Sequence, residues 1–209
     1  MDLISSLQND SSAKVLVLSN LITIVLAVVF NWSLMIILWG YWCQSIIIGF
    51  FNFLRILSLK DFSTEGLKIN GVKGQPSATT GIKFFIAIFF AIHYGIFHLV
   101  YALFLGLFTF VSQSISPVDF GYIFLMAGIF FLNHLFSFLH FKDKPKKHNI
   151  GTVMFFPYAR IFPMHLIIMF GLPFYALGGS LPVLVLFLLL KTGADLVMHF
   201  IEHKEQLFI

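Results

Sequence analysis

Six long apolar segments, separated by short polar, glycine- or proline-containing stretches, dominate the pattern along the chain. A helix that crosses a bilayer needs about 20 predominantly apolar residues, and every segment is of that order. The pattern therefore predicts an all-α, polytopic membrane protein, a bundle of six transmembrane helices in one domain covering residues 1–209. The predicted helices cover approximately residues 14–30, 33–57, 81–111, 118–141, 152–177 and 181–203.

Two stretches depart from this simple pattern. The fifth segment contains Pro157, Pro163 and Pro173, and a proline inside a helix removes a backbone hydrogen bond and bends or breaks it. The loop over residues 58–80 is polar and rich in glycine, and its pattern leaves strand and coil equally open. We therefore expect an interrupted fifth helix and an irregular connection between the second and third.

The composition agrees with a membrane protein. Hydrophobic residues make up 59% of the chain and charged residues 11%, whereas soluble domains carry about 25% charged residues. The single cysteine, Cys43, excludes an intrachain disulfide framework and a cysteine-rich metal site. The chain is expected to meet membrane lipids, and no nucleic-acid partner is indicated.

The placement of lysine and arginine predicts the orientation. With six spans, the basic residues of the N-terminal segment, of the loops with their flanks and of the tail all fall on one side of the membrane, and the turns at residues 31–32, 112–117 and 178–180 contain none. By the positive-inside rule this side is cytoplasmic, so both termini are predicted to be cytoplasmic in the cell membrane. Glycines that permit close helix packing within or between protomers leave a homo-oligomer open: Gly95, Gly106, Gly121 and Gly128.

Ionisable residues recur at one predicted depth, and such residues inside a membrane are functional-site hypotheses by default. Counted from the basic residues at about 1.5 Å per helical residue, they lie roughly 8–15 Å inside the cytoplasmic edge. They come from four predicted helices: His93, His134, His165, Asp195 and His199. Asn133 lies at a similar depth, and Tyr94 and His98 continue the polar face of the third helix.

This layer predicts a transition-metal site, because histidine and aspartate are ligands for Zn or Fe and facing helices can share one ion. The favoured ligands are His93, His165, Asp195 and His199, with His134 in reserve. Such a metal would activate water against a lipid or another membrane substrate.

The last helix also carries the letters H-x-x-E-H at residues 199–203, a zinc-peptidase pattern in which the glutamate is the base. Glu202 is accordingly the candidate base. The context is weak, since such an enzyme usually takes a third ligand downstream and only six residues follow His203.

Three other interpretations remain open. Lys191 lies one helical turn from Asp195, so an ion pair between them would make a metal unnecessary. The same residues, with Arg160 nearby, would also suit a transporter or a proton relay. Alternatively, neutral histidines that hydrogen-bond across helices would serve a non-catalytic scaffold or partner subunit.

Several segments together resemble a family of prokaryotic six-helix membrane proteins known only as a domain of unknown function. The resemblance lies in polar and aromatic residues spread from the second helix onward: Tyr41-Trp42 with residues 49–55, residues 89–98, Pro157-Tyr158 with Arg160 and His165, and Lys191, Asp195, His199, Glu202 and His203. It implies the fold and marks residues, and it implies no known reaction.

Overall fold

The computed structural model describes residues 11–29, 32–69, 76–112, 117–142, 148–171 and 180–207. Within these ranges several side chains are left undescribed, including all those from residue 198 onward. The described chain is almost entirely helical. We number its helices α1 Ser11–Val29, α2 Leu34–Ser58, α3 Thr80–Ser112, α4 Pro117–Lys142, α5 Ile150–Phe155, α6 Tyr158–Leu166 and α7 Ser180–Leu207.

The prediction of a mostly helical chain is confirmed, and each apolar segment falls on helix. The fifth segment is divided as the prolines indicate: α5 ends before a turn at Phe156 and Pro157, and α6 begins at Tyr158. Pro163 lies inside α6. A short π-helix, Ile167–Gly171, follows directly, and such wider turns are rare and occur often at functional sites. Pro173 lies outside the described residues.

Helix α2 is the centre of the bundle. It packs most extensively against α3 and α4 and also contacts α5, α6 and α7. The residues on its inward face are large and fully buried, among them Leu38, Phe51 and Ile56. Helix α1 packs on α7, which in turn packs on α6. Helix α2 therefore lies in contact with every other helix of the bundle that carries a polar contact described below.

Two loops meet at one end of the bundle. Strand β1, Phe62–Ser63, follows α2, and strand β2, His148–Asn149, precedes α5. They pair in parallel, with Phe62 opposite His148 and Ser63 opposite Asn149. Asn149 also caps α5, because its side-chain oxygen accepts hydrogen bonds from two backbone N–H groups of the first turn. The loop after α2 thus contains a short strand and a glycine turn at Gly66, whose φ is +73°.

Among the described residues, three helical stretches are long and apolar enough to cross a membrane: Leu34–Ser58, Thr80–Val111 and Ile150–Gly171. The third runs through α5, α6 and the π-helix. Helix α4 contributes a shorter apolar stretch, Ile123–Phe136. Six spans and the orientation of the termini remain predictions.

Candidate functional site

A buried hydrogen-bonded cluster joins α2 to α3 near the middle of both helices. The Ser45 hydroxyl lies 2.8 Å from the Tyr94 hydroxyl and 2.9 Å from Nε2 of His98. The rings of Tyr94 and His98 stack with centroids 4.3 Å apart. Ser45 and His98 are only 2% and 4% exposed, so this cluster is closed to solvent.

The hydrogen bonds of His98 fix its tautomer. Its Nδ1 lies 2.9 Å from the backbone carbonyl oxygen of Tyr94, and a carbonyl only accepts, so Nδ1 carries the proton. In the neutral imidazole Nε2 is then an acceptor, and the Ser45 hydroxyl donates to it. The Ser45 oxygen is left to accept from the Tyr94 hydroxyl. The Tyr94 hydroxyl also lies 3.0 Å from the backbone carbonyl oxygen of Ser45, so its one proton is shared between two acceptors of that residue. The hydrogen bonds of His98 are fixed in direction, as expected of contacts that hold two helices together.

A tyrosine–histidine pair joins α3 to α6. The Tyr101 hydroxyl lies 3.0 Å from Nδ1 of His165. Tyr101 is buried and His165 half-buried, and Phe97 packs edge-on against the His165 ring. A phenol hydroxyl both donates and accepts, so this contact is compatible with either tautomer of His165.

Another histidine–tyrosine pair joins α3 to the beginning of α6. The Tyr158 hydroxyl lies 2.9 Å from Nδ1 of His93, and again either tautomer fits. The His93 ring is stacked on Phe89, with centroids 5.3 Å apart, and the residue is exposed. Tyr158 also meets Tyr94 edge-on at 5.5 Å, which places this pair beside the Ser45 cluster.

The two histidine–tyrosine pairs show the relative direction of α3 and α6. His93 pairs with Tyr158 and Tyr101 with His165, so residue numbers rise together and the two helices run in the same direction. Eight residues separate the pairs on α3, which is about 12 Å along the helix. The Ser45–Tyr94–His98 cluster lies between these two levels. Polar groups therefore follow α3 for slightly more than two turns.

The charged residues form a separate group around Tyr41. Lys191 and Asp195 form an ion pair within α7, with their side chains 21% and 17% exposed. The Tyr41 hydroxyl donates a hydrogen bond to the backbone carbonyl of Arg160. The charges of Asp195 and Arg160 both act on that hydroxyl. Asp195 is thus paired with Lys191 of its own helix.

The structure does not gather the predicted ligands into one site among the side chains it describes, where no group of three or more His, Cys, Asp or Glu residues could hold a metal ion. His93, His165 and Asp195 each have a different partner. The reserve ligand, His134, has its Nδ1 3.1 Å from the carbonyl oxygen of Phe130 in its own helix. The side chains of Asn133, His199 and Glu202 lie outside the described part, so a metal site that uses His199 stays a prediction.

The sequence singled out the histidines and missed their tyrosine partners. Tyr158 and His165 are seven residues apart on α6, and their partners His93 and Tyr101 are eight apart on α3, so each set spans about two helical turns. Residues spaced this way lie near one face of a helix and can meet a similarly spaced set on a neighbouring helix. This matched spacing was the signal available. It does not by itself say which helices lie side by side.

Comparison with known proteins gives one result. Residues 3–207 match a family described as "Family of unknown function (DUF6498)". The chain belongs to this family. No curated protein and no solved structure matches the chain. Membership covers nearly the whole chain and assigns no reaction, substrate or partner, so a function has to be argued from the site itself.

Proposed function

We propose that this chain is an integral membrane protein that relays protons through histidine–tyrosine pairs between α3 and α6. The observation that supports the proposal is the hydrogen bond of His93 to Tyr158 at 2.9 Å and that of His165 to Tyr101 at 3.0 Å, both compatible with either tautomer. The surrounding helices are long and apolar enough to cross a membrane.

The chemistry of the pairs suits this role. Imidazole takes up a proton on one ring nitrogen and releases one from the other, and its unperturbed pKa lies near neutral pH. A phenol hydroxyl accepts a hydrogen bond while donating one. A proton arriving at Nε2 of His93 would thus be balanced by transfer of the Nδ1 proton to the Tyr158 oxygen, while the Tyr158 hydroxyl gives up its own proton to a water molecule. Ionisable groups inside a membrane are costly and are retained for such pathways.

The pairs favour a relay over the other interpretations. A metal ion needs several ligands converging on one point. His93 and His98 lie on α3, His134 on α4 and His165 on α6, and each of them faces a hydroxyl or a carbonyl. A scaffold would need fixed hydrogen bonds. Of His93, His98, His134 and His165, the two that face a backbone carbonyl, which fixes the tautomer, are His98 and His134. The hydrogen bonds of His93 and His165 allow either tautomer of the imidazole, which proton transfer requires.

The test is proton flux in liposomes that contain the purified protein and a trapped pH-sensitive dye, driven by a potassium diffusion potential. The variant carries Tyr101→Phe and Tyr158→Phe, which remove two oxygens and preserve both rings. Loss of a proton-transfer partner lowers rates on the order of a hundredfold, so we expect flux close to that of empty liposomes. Trp39→Phe is the matched control, since it removes the hydrogen bond of Trp39 to Thr109 and no titratable group.

Two results would overturn the proposal. One is wild-type flux no higher than that of empty liposomes under a driving force of either sign. The other is a stoichiometric Zn or Fe in the purified protein that is lost on Asp195→Ala or His199→Ala, while flux is unchanged by the tyrosine variant. The second result would support the metal site predicted from the sequence.

A further inference from the structure

An open cleft of about 400 Å³ lies at the end of the bundle where β1 and β2 pair, and its position and lining point to a ligand unrelated to the proton pathway. Its volume falls in the range of small-molecule sites, about 300–1,000 Å³. It is bordered by the loop after α2, by Asn149, by α5 with the turn that follows it, and by the first turn of α6. The lining residues are Glu65, Gly66, Leu67, Asn149, Gly151, Thr152, Phe155, Phe156 and Ala159.

The cleft has one apolar side and one polar side. Phe155, Phe156 and Ala159 belong to the apolar stretch that could cross a membrane, and Phe155 is 62% exposed. Glu65 is exposed on the loop side. The cleft therefore lies where an apolar helix gives way to polar loops, the depth at which a lipid changes from acyl chain to headgroup.

The polar groups that line the cleft indicate which charges a bound lipid headgroup would carry. The backbone N–H groups of Gly151 and Thr152 already donate to Asn149, so they are not available to a phosphate. The anion in the lining is the Glu65 carboxylate, which suits an ammonium group. Lys68 follows the lining residue Leu67 directly and is exposed. A cation and an anion three residues apart match a headgroup that carries both signs.

The surrounding charge supplies the attraction for a phosphate. Among the described side chains of the loop after α2 and the helix ends that flank it, basic residues outnumber acidic ones four to two: Arg55, Lys60, Lys68 and Lys83, against Asp61 and Glu65. The parallel pairing of Phe62 with His148 brings this loop to the beginning of α5. Basic segments beside membrane helices attract the negatively charged groups of lipids.

We propose that this cleft binds one aminophospholipid of the phosphatidylethanolamine type. Its ammonium group meets Glu65, its phosphate lies towards Lys68, and its acyl chain runs along Phe155. This assignment does not depend on the proton relay.

The test compares three lipids on the full chain in detergent, with retained lipid counted by native mass spectrometry. Phosphatidylethanolamine has an ammonium group with N–H donors, phosphatidylcholine has the same charge without donors, and phosphatidylglycerol has no ammonium group. We expect one phosphatidylethanolamine retained several-fold more tightly than either competitor. Equal retention of all three lipids overturns the proposal.

Substitutions distinguish lipid binding in the cleft from general lipid binding to the surface of the protein. Glu65→Gln is expected to abolish the preference for phosphatidylethanolamine over phosphatidylcholine, and Phe155→Ala to weaken retention of all three lipids. The matched control for Phe155 is Phe162→Ala, which removes a phenylalanine of similar exposure, 58%, that does not line the cleft. Lys68→Gln is expected to weaken retention of all three lipids, since each carries a phosphate, and Lys60→Gln, which replaces another exposed lysine of the same loop, is its matched control.

Phe155→Leu keeps an apolar wall in case the alanine variant is unstable, and it is expected to retain lipid. Preference unchanged in Glu65→Gln, or equal loss in Phe155→Ala and Phe162→Ala, would contradict the assignment.

Discussion

The Tyr101 hydroxyl and Nδ1 of His165 lie 3.0 Å apart across the interface of α3 and α6, and nothing else in that contact fixes which of the two atoms donates. His98, one turn earlier on α3, makes the opposite kind of contact, because a backbone carbonyl fixes its proton. His165 on α6 and His98 on α3 lie at neighbouring levels of the bundle and are therefore expected to respond differently to substitution.

Replacing His165 by asparagine should abolish proton flux and leave thermal stability nearly unchanged. The asparagine amide can still hydrogen-bond to Tyr101 from the place of Nδ1, but an amide does not titrate and cannot pass a proton on. Flux in liposomes and the thermal unfolding midpoint in detergent are the two measurements. His98→Gln should give the reverse pattern, a lower midpoint with flux retained in the folded fraction. Equal behaviour of the two variants would contradict the division of roles.

Removing the Ser45 hydroxyl should destabilise the α2–α3 interface. Ser45→Ala leaves Nε2 of His98 without its donor and the Tyr94 hydroxyl without one of its acceptors, both in a buried site. Hydrogen bonds between membrane helices contribute about 0.6 kcal/mol on average and up to about 1.7 kcal/mol, and we expect the upper end because one hydroxyl serves two partners. Unfolding in a denaturing detergent measures the change. Ser58→Ala is the control, since Ser58 bonds only to the backbone carbonyl of Arg55 within its own helix.

Gly49 should tolerate no side chain. A Cβ at Gly49 would lie 2.8 Å from Cδ1 of Tyr94 and closer still to Cε1, and that ring is held by its hydrogen bonds to Ser45. Overpacking of this kind costs about 1–3 kcal/mol, so Gly49→Ala should lower the unfolding midpoint clearly. Gly95→Ala is the matched control on α3, because a Cβ there meets nothing within 4 Å. A large loss in Gly95→Ala would instead indicate that another copy of the chain packs on that face.

Lys191 and Asp195 should show energetic coupling. Lys191→Met or Asp195→Asn alone leaves one charge in a partly buried position without its ion-pair partner. The double variant leaves neither charge, so its loss of stability should be smaller than the sum of the two single losses. Coupling energies of contacting residues are about 0.5–3 kcal/mol, and a double-mutant cycle on the unfolding free energy measures this one. Additive losses would mean that the pair contributes nothing to stability.

The pairing of β1 with β2 can be tested by crosslinking. Neighbouring strands lie about 4.8 Å apart, within the Cα separation of disulfides, about 4.4–6.8 Å. In a Cys43→Ala background, Phe62→Cys combined with His148→Cys should therefore crosslink efficiently on mild oxidation. Trp32→Cys combined with His148→Cys is the control, because Trp32 precedes α2 and β1 follows it. Crosslinking in the control as strong as in the test pair would contradict the pairing.

The elements were predictable from the sequence because apolar run length and proline position act locally. The runs give the helices, and Pro157 marks the break between α5 and α6. The ion pair of Lys191 with Asp195 was also open to prediction, since both residues lie on one helix a turn apart. These features need no knowledge of which helices are neighbours.

The partners of the histidines were not predictable in the same way. Counting residues from Lys83 gives a height for His93 along a straight helix, but it gives no rotation about the helix axis. Helix rotation decides that His93 faces Tyr158, and the turn at Pro157 decides the height of Tyr158. The expected convergence of four helices on one metal rested on height alone.

The central position of α2 has a consequence for how the protein is made. Ser45, Tyr41 and Asn52 on this early helix find their partners on α3, α6 and α5, at Tyr94, Arg160 and Val153. If α2 crosses the membrane as proposed, it enters during synthesis before the partners of its polar side chains exist. Ser45 finds Tyr94 49 residues later along the chain, whereas Asn52 and Tyr41 find their partners only 101 and 119 residues later. A truncated chain that ends before α5 would therefore leave the side chains of Asn52 and Tyr41 without these partners.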